Sequence, residues 1–165
     1  MNIAYIGFGD LAKQIRHFLQ IENPNATEIA FDDKIKDDSI VIINFSEFEN
    51  EEFDQYHFYV CIGYQHLNYR FQITKKLKEL GRKVPYFIHP SAIVDPTAKI
   101  EEGAFIFPGC ILDQNSTVGL GSILHNGVII SHDSSINSCN YISPGTIVSG
   151  NVKIGSENFL GSGTI

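Results

Sequence analysis

Every sixth residue from Val94 to Leu160 is aliphatic: Val94, Ile100, Ile106, Leu112, Val118, Leu124, Ile130, Ile136, Ile142, Val148, Ile154 and Leu160. With roughly one residue in four aliphatic in an average chain, such a run does not arise by accident. Two places before each stands a small or medium residue, among them Ala98, Cys110, Ser122, Ser134 and Thr146, and turn formers cluster just after. A period of six is neither the 3.6 of a helix nor the 2.0 of one strand. It fits a parallel β-helix in which each hexad supplies one short strand and one corner, and three hexads close a triangular turn of about 18 residues. Turns stack at roughly the 4.8 Å strand spacing. Aliphatic side chains then point to the axis, and each turn is stabilised mainly by its neighbours.

The first half follows another grammar. Asn2–Ile6, Glu28–Phe31, Ile40–Asn44, Phe58–Ile62 and Val84–Ile88 read as strands. Asp10–Gln20 has helical spacing, and Gln65–Leu80 reads as a helix closed by Gly81. Strands alternating with helices imply a small parallel α/β sheet. The division expected is residues 1–88 for this α/β domain and 89–165 for the coil.

The 165 residues carry a net charge of −7, which argues against nucleic acid or an anionic membrane as the main partner. Cys61, Cys110 and Cys139 are far apart and form no CxxC pair, which fits reduced thiols in the cytoplasm and neither a disulfide framework nor a zinc site. The N-terminus MNIAYIGFGD has no basic region before an apolar run, and no segment reaches the ~18 apolar residues of a membrane helix.

The stretches IAYIGFGDLAKQI, FDDK, CIGYQHLNYR, FIHPSAIVDPTAKI and SHDSSI…ISPGTIVSGNVKIG, in that order, resemble bacterial sugar O-acyltransferases. These are proteins of the sialic-acid O-acetyltransferase and nucleotide-sugar N-acetyltransferase type. The resemblance implies a small Rossmann-like α/β N-terminal domain followed by a left-handed parallel β-helix of hexapeptide repeats. It also implies acetyl-CoA as acyl donor, no metal, and a homotrimer with the donor in a groove between subunits. The expected reaction is direct N-acetylation of a UDP- or dTDP-linked 4-amino sugar. O-acetylation of a sialic-acid-like sugar and a non-catalytic trimeric scaffold remain as alternatives. Resembling sequences run on past GSGTI, so further C-terminal coils are expected beyond the point where this chain stops.

Within that likeness His132 takes the place of the general base and Asp133 that of the acid that orients it. The chemistry suits: a neutral imidazole, with an ordinary pKa near 6.5, can accept the proton an amine loses as it attacks a thioester. His125, one place after Leu124, reads as structural or substrate-side. Zinc held by His125 and His132, as in the hexapeptide carbonic anhydrases, lacks a third histidine in place. Tyr141 stands where related sequences often have a donor-placing histidine. Gly145 and Gly150 read first as corner glycines with positive φ, and second as bare amides that contact the thioester or the pantetheine arm.

In the first half, Gly7 and Gly9 of GFGDLA lie between a strand and a helix, the context of a nucleotide site. The likeness places the nucleotide of a sugar nucleotide there, with Asp32 or Asp33 on the base edge and Gly63 and Tyr64 in the next strand-end loop. For Asp32 and Asp33 a solvated turn is an equal reading. Some 88 residues are only half of a dinucleotide fold, which disfavours a nicotinamide enzyme.

Overall fold

The computed structural model describes residues 1–165 as two compact units: 1–63 with 72–85, and 64–71 with 86–165.

The first unit is built on a parallel sheet of β1 (Asn2–Ile6), β2 (Thr27–Phe31), β3 (Val41–Ile43) and β4 (His57–Val60), in the order β3-β2-β1-β4. Helix α1 (Asp10–Glu22) connects β1 to β2 and buries Ala12, Ile15 and Leu19. Helix α2 (Leu67–Glu79) follows β4, and its Ile73 and Leu77 pack with Ala4, Ile6, Phe31, Phe58 and Val60. Nearly continuous apolar strands such as IAYI suit a sheet covered on both faces. No helix is long and apolar enough to cross a membrane.

The second unit is the parallel β-helix expected from the hexads. It has thirteen two-residue strands, β5 (Phe87–Ile88) to β17 (Phe159–Leu160), stacked in three parallel sheets. Partners lie 18 residues apart: Ile106 with Leu124, Leu112 with Ile130, Val118 with Ile136. The pairing fits a left-handed β-helix. The eight central aliphatic residues, Ile106 to Val148, are buried, and Val94, Ile100, Ile154 and Leu160 are partly covered at the two ends. Each fully buried side chain of this kind contributes on the order of 1.5–3 kcal/mol. The small residues two places earlier also face inward and bond between turns. Ser134 Oγ donates to Ser149 O at 2.7 Å and accepts from Val152 N at 3.0 Å. Asn140 Nδ2 donates to Gly155 O, and its Oδ1 accepts from Asn158 N.

Corners repeat as strictly as strands. A residue with left-handed φ recurs every sixth position from Gly103 to Gly163, and five of these are not glycine: Asn115, Asp133, Cys139, Asn151 and Glu157. One sequence expectation is corrected. Val84–Ile88 is not a strand of the first sheet, because Phe87 and Ile88 pair with Phe105 and Ile106 as the first rung of the coil. Ile88 is simply the hexad position before Val94. Of the region before it, Lys83 alone makes an isolated bridge to His57.

Candidate functional site

His132 and Asp133 occupy the corner after the strand Ile129–Ile130. Asp133 takes φ 57°, a conformation aspartate tolerates better than most residues because its short side chain bonds locally. Two bonds fix its carboxylate: His132 Nδ1 lies 2.9 Å from Oδ2, and Asn115 Nδ2 donates to Oδ1 at 3.0 Å. The bond from His132, then that from Asn115, hold the Asp133 carboxyl below the usual carboxylate range. An ionised carboxylate can only accept, so Nδ1 carries the proton and Nε2 is left as the basic nitrogen of the neutral ring. Both side chains stay about half exposed, at 47% and 43%. Backbone bonds Asp133 N to Gln114 O and Asn151 N to His132 O, each 3.0 Å, tie the corner to the turns on either side.

Gly150 lies 18 residues after His132, on the adjacent turn. A Cβ there would come within 2.6 Å of His132 Nε2 and 2.7 Å of Cε1. Its φ is not left-handed, unlike that of Gly145 at +70°. The reading of Gly150 as a positive-φ corner is therefore replaced: it is glycine because the imidazole lies against it. Gly145 has the expected φ, but its N–H already donates to Asn126 O at 3.0 Å.

Tyr141 and His125 form a second group. The Tyr141 hydroxyl is 2.7 Å from His125 Nε2. The His125 ring stacks on Phe107, 4.4 Å between centroids and 20° between planes. Burial lowers the His125 pKa below the ordinary histidine value, against a smaller opposing effect of the Asn126 side chain. Burial, then Tyr64, raises that of Tyr141. Tyr64 packs on Tyr141 at 5.4 Å and on Phe159 at 5.0 Å. No three His, Cys, Asp or Glu side chains gather as a metal ion would need.

In the first unit, the expected residues collect at the C-terminal ends of parallel strands, the edge where open α/β sheets bind ligands. Gly7 ends β1 with φ +79°, and its N–H donates to Phe31 O. Gly9 precedes α1 with no side-chain cap. Asp32 follows β2 and is already engaged: Oδ2 accepts from Phe8 N at 2.9 Å, and Oδ1 from Lys34 N and Ile35 N. Partial burial works against ionisation, but those three N–H groups outweigh it, and the pKa of Asp32 is lowered. Asp33 Oδ1 accepts from Phe45 N at 2.8 Å. Gly63 follows β4 with open space where a Cβ would be. Tyr64, expected in the same loop, groups instead with the coil.

Residue-by-residue sequence reading missed Asn115, Phe107 and Phe159. A signal was present, since each lies one 18-residue turn from a residue singled out: Asp133, His125 and Tyr141.

No protein-family model and no curated protein matches the chain. Solved structures do. The acetyltransferase domain of PglB from Neisseria gonorrhoeae FA1090 is 27% identical, with TM-score 0.89 over 98% of this chain and 80% of that one. Its complex with acetyl coenzyme A is 28% identical, with TM-score 0.88 over the same shares. PerB from Caulobacter crescentus, in complex with CoA and GDP-perosamine, shares the fold at 22% identity and TM-score 0.82, covering 96% of this chain and 76% of that one. WeeI from Acinetobacter baumannii AYE does so at 17% identity and TM-score 0.81, covering 99% and 79%.

Proposed function

As an acyltransferase of the hexapeptide-repeat sugar-acetyltransferase kind, this chain, we propose, moves the acetyl group of acetyl-CoA onto the amino group of a nucleotide-linked amino sugar. The observation that carries the reading is the His132 ring. It is protonated at Nδ1 by its bond to Asp133, basic at Nε2, half exposed, and lies in space kept clear by Gly150. A side chain that served only as a solvated corner would need no glycine beneath it.

In this reaction the amine lone pair attacks the thioester carbonyl carbon. Nε2 of His132 accepts the proton that the nitrogen loses, the C–S bond breaks, and the imidazolium returns that proton to the departing CoA sulfur. Asp133 stabilises the imidazolium in between. The thioester is already activated, so no acyl-enzyme is required.

The order β3-β2-β1-β4 has the arrangement of one half of a doubly wound sheet and supports a Rossmann-like reading of the first unit, with the nucleotide at its C-terminal edge. Phe8 N–H is committed to Asp32, so the glycine turn has one amide fewer for a diphosphate. That favours contact with the nucleoside there. A homotrimer is supported by the outward positions of one coil sheet, which are all isoleucine: Ile93, Ile111, Ile129 and Ile147. Ile93 is 64% exposed and Ile147 36%. The equivalent positions of another sheet are Lys99, Thr117, Ser135 and Lys153. An aliphatic stripe bare on one side only is the surface a symmetric assembly buries.

The test is thiol release from acetyl-CoA with a panel of UDP-, dTDP- and GDP-linked 4-amino sugars, with products identified by mass. Acetylation on nitrogen by one of these supports the reading. Thiol release with none of them, or acetyl only on a hydroxyl of a sialic-acid-like sugar, refutes it.

A further inference from the structure

The aromatic residues around Tyr141 are not accounted for by the base. The outward column of one coil sheet runs Phe87, Phe105, Ile123, Tyr141, Phe159. The first three are buried, whereas Phe159 is 52% exposed and Tyr64, packed against it, 49%. Two large rings left half bare cost burial free energy of about 25 cal/mol per Å² forgone, and such patches mark sites.

We propose that Tyr64, Tyr141 and Phe159 form the surface on which the less polar face of the acceptor's pyranose ring packs. This rests on the amino-sugar reading above and adds the residues that select the sugar. Three observations carry it. The first is rigidity: the Tyr141 hydroxyl is pinned to His125 Nε2 at 2.7 Å, and His125 is itself clamped on Phe107. A preorganised aromatic surface loses little entropy on binding.

Shape is the second. Tyr141 and Phe159 are inclined by 26°, Tyr64 and Phe159 by 39°, and Tyr64 and Tyr141 by 61°. Three rings so inclined share no single flat plane, which suits a puckered pyranose better than a flat purine. The third is chemistry. Two residues before Phe159 is Glu157, whose carboxylate accepts from Asn68 Nδ2 at 3.1 Å. Amide, carboxylate and phenol groups match sugar hydroxyls and an amine, and a diphosphate would call for cations.

Tyr141 is nine residues beyond His132, half of an 18-residue turn, and so lies on the opposite side of the same coil. A sugar on this surface is therefore remote from the His132 of its own chain and, on this proposal, is served by the His132 of a neighbouring copy in the homotrimer proposed above.

Saturation-transfer NMR on the full chain tests the proposal without turnover. The probe is methyl 4-amino-4,6-dideoxy-α-D-mannopyranoside, with adenosine as competitor. The expected result is saturation concentrated on protons of one sugar face, lost in Tyr64→Leu and Phe159→Leu, with adenosine unable to displace the glycoside. No saturation in the parent, equal saturation in parent and variants, or displacement by adenosine would each overturn it. Both replaced side chains are half exposed, and unchanged circular dichroism serves as the folding control. In turnover, Phe159→Leu is expected to raise KM for the sugar nucleotide about tenfold, equivalent to ~1.4 kcal/mol, with KM for acetyl-CoA unchanged. Equal changes in both would also overturn it. A chain that acetylates no amine would defeat the functional reading while the NMR result still decides the sugar surface.

Discussion

Gly150→Ala adds one methyl group at the position where space is shortest. The new Cβ would stand 2.6 Å from His132 Nε2 and 2.7 Å from Cε1, and ordinary contact begins at about 3.4 Å. Something must retreat by about 0.8 Å. The Gly150 backbone belongs to a corner whose next residue, Asn151, bonds through its N–H to His132 O, whereas the imidazole is the half-exposed end of a side chain, so the ring moves. Its Nδ1 bond to Asp133 makes it pivot, which carries Nε2 away from the acceptor nitrogen. A misplacement near 1 Å costs on the order of 10²-fold in rate. Stability should barely change, because φ at Gly150 is not left-handed and alanine there lowers unfolded-state entropy by about 0.4–1 kcal/mol. At roughly 2–4 °C per kcal/mol for a domain of this size, the melting temperature should hold within a few degrees. The assay is steady-state thiol release beside a thermal melt. A Gly150→Ala protein with the parent kcat would refute the placement of the base; one that lost activity only because it had unfolded would refute the yielding of the ring.

Gly119→Ala is the contrasting case. Its Cβ would lie 2.7 Å from the Asn137 carbonyl carbon and 2.9 Å from both Asn137 O and Ser138 N. Those are backbone atoms that cannot swing aside, so a loss of about 1–3 kcal/mol is expected, read as a lower urea midpoint. His125 gives a pH signature. Its folded pKa is depressed by burial, so the unfolded state binds the extra proton first. The stability involved is complete above the ordinary histidine pKa near 6.5 and is lost as pH falls below it toward the depressed value. His125→Asn should show a shallower acid-side slope in melting temperature against pH, and equal slopes would contradict the buried-neutral assignment. Subunit mixing tests the shared site. His132→Ala chains, inactive alone, and Tyr64→Leu/Phe159→Leu chains, slow at sugar-nucleotide concentrations well below their raised KM, should together regain about a quarter of the parent activity at such a concentration when unfolded and reassembled as one-to-one mixed trimers. No recovery would mean that base and sugar surface come from the same chain.

The coil was legible because its burial is one-dimensional. Each hexad repeats the same inward side chain, so Val94 to Leu160 could be read off without any long-range pairing. Its start was misread because Val84–Ile88 is as apolar as any strand, and only the register back from Val94 reveals that Ile88 belongs to the coil. Strand edges and helices of the first unit were legible to within a few residues. Side-chain partners were less so. Gly150 looks like every other corner glycine until one counts back a full turn to His132. Asn115, Phe107 and Phe159 carry no local mark of importance, and their roles come from stacking at 18 residues. Asp32 could be placed after β2 by sequence, but its three backbone donors depend on how the β1 turn and the segment after β2 close over it.

The most direct measurement is the single-turnover rate of acetyl transfer, with enzyme in excess over the amino-sugar nucleotide, for the parent and for His132→Gln. Loss of a positioned general base slows the chemical step by roughly 10²–10⁴-fold and leaves the affinity for the sugar nucleotide unchanged. A His132→Gln chain that transfers acetyl at the parent rate would contradict the assignment of His132 and with it the chemistry built on this corner.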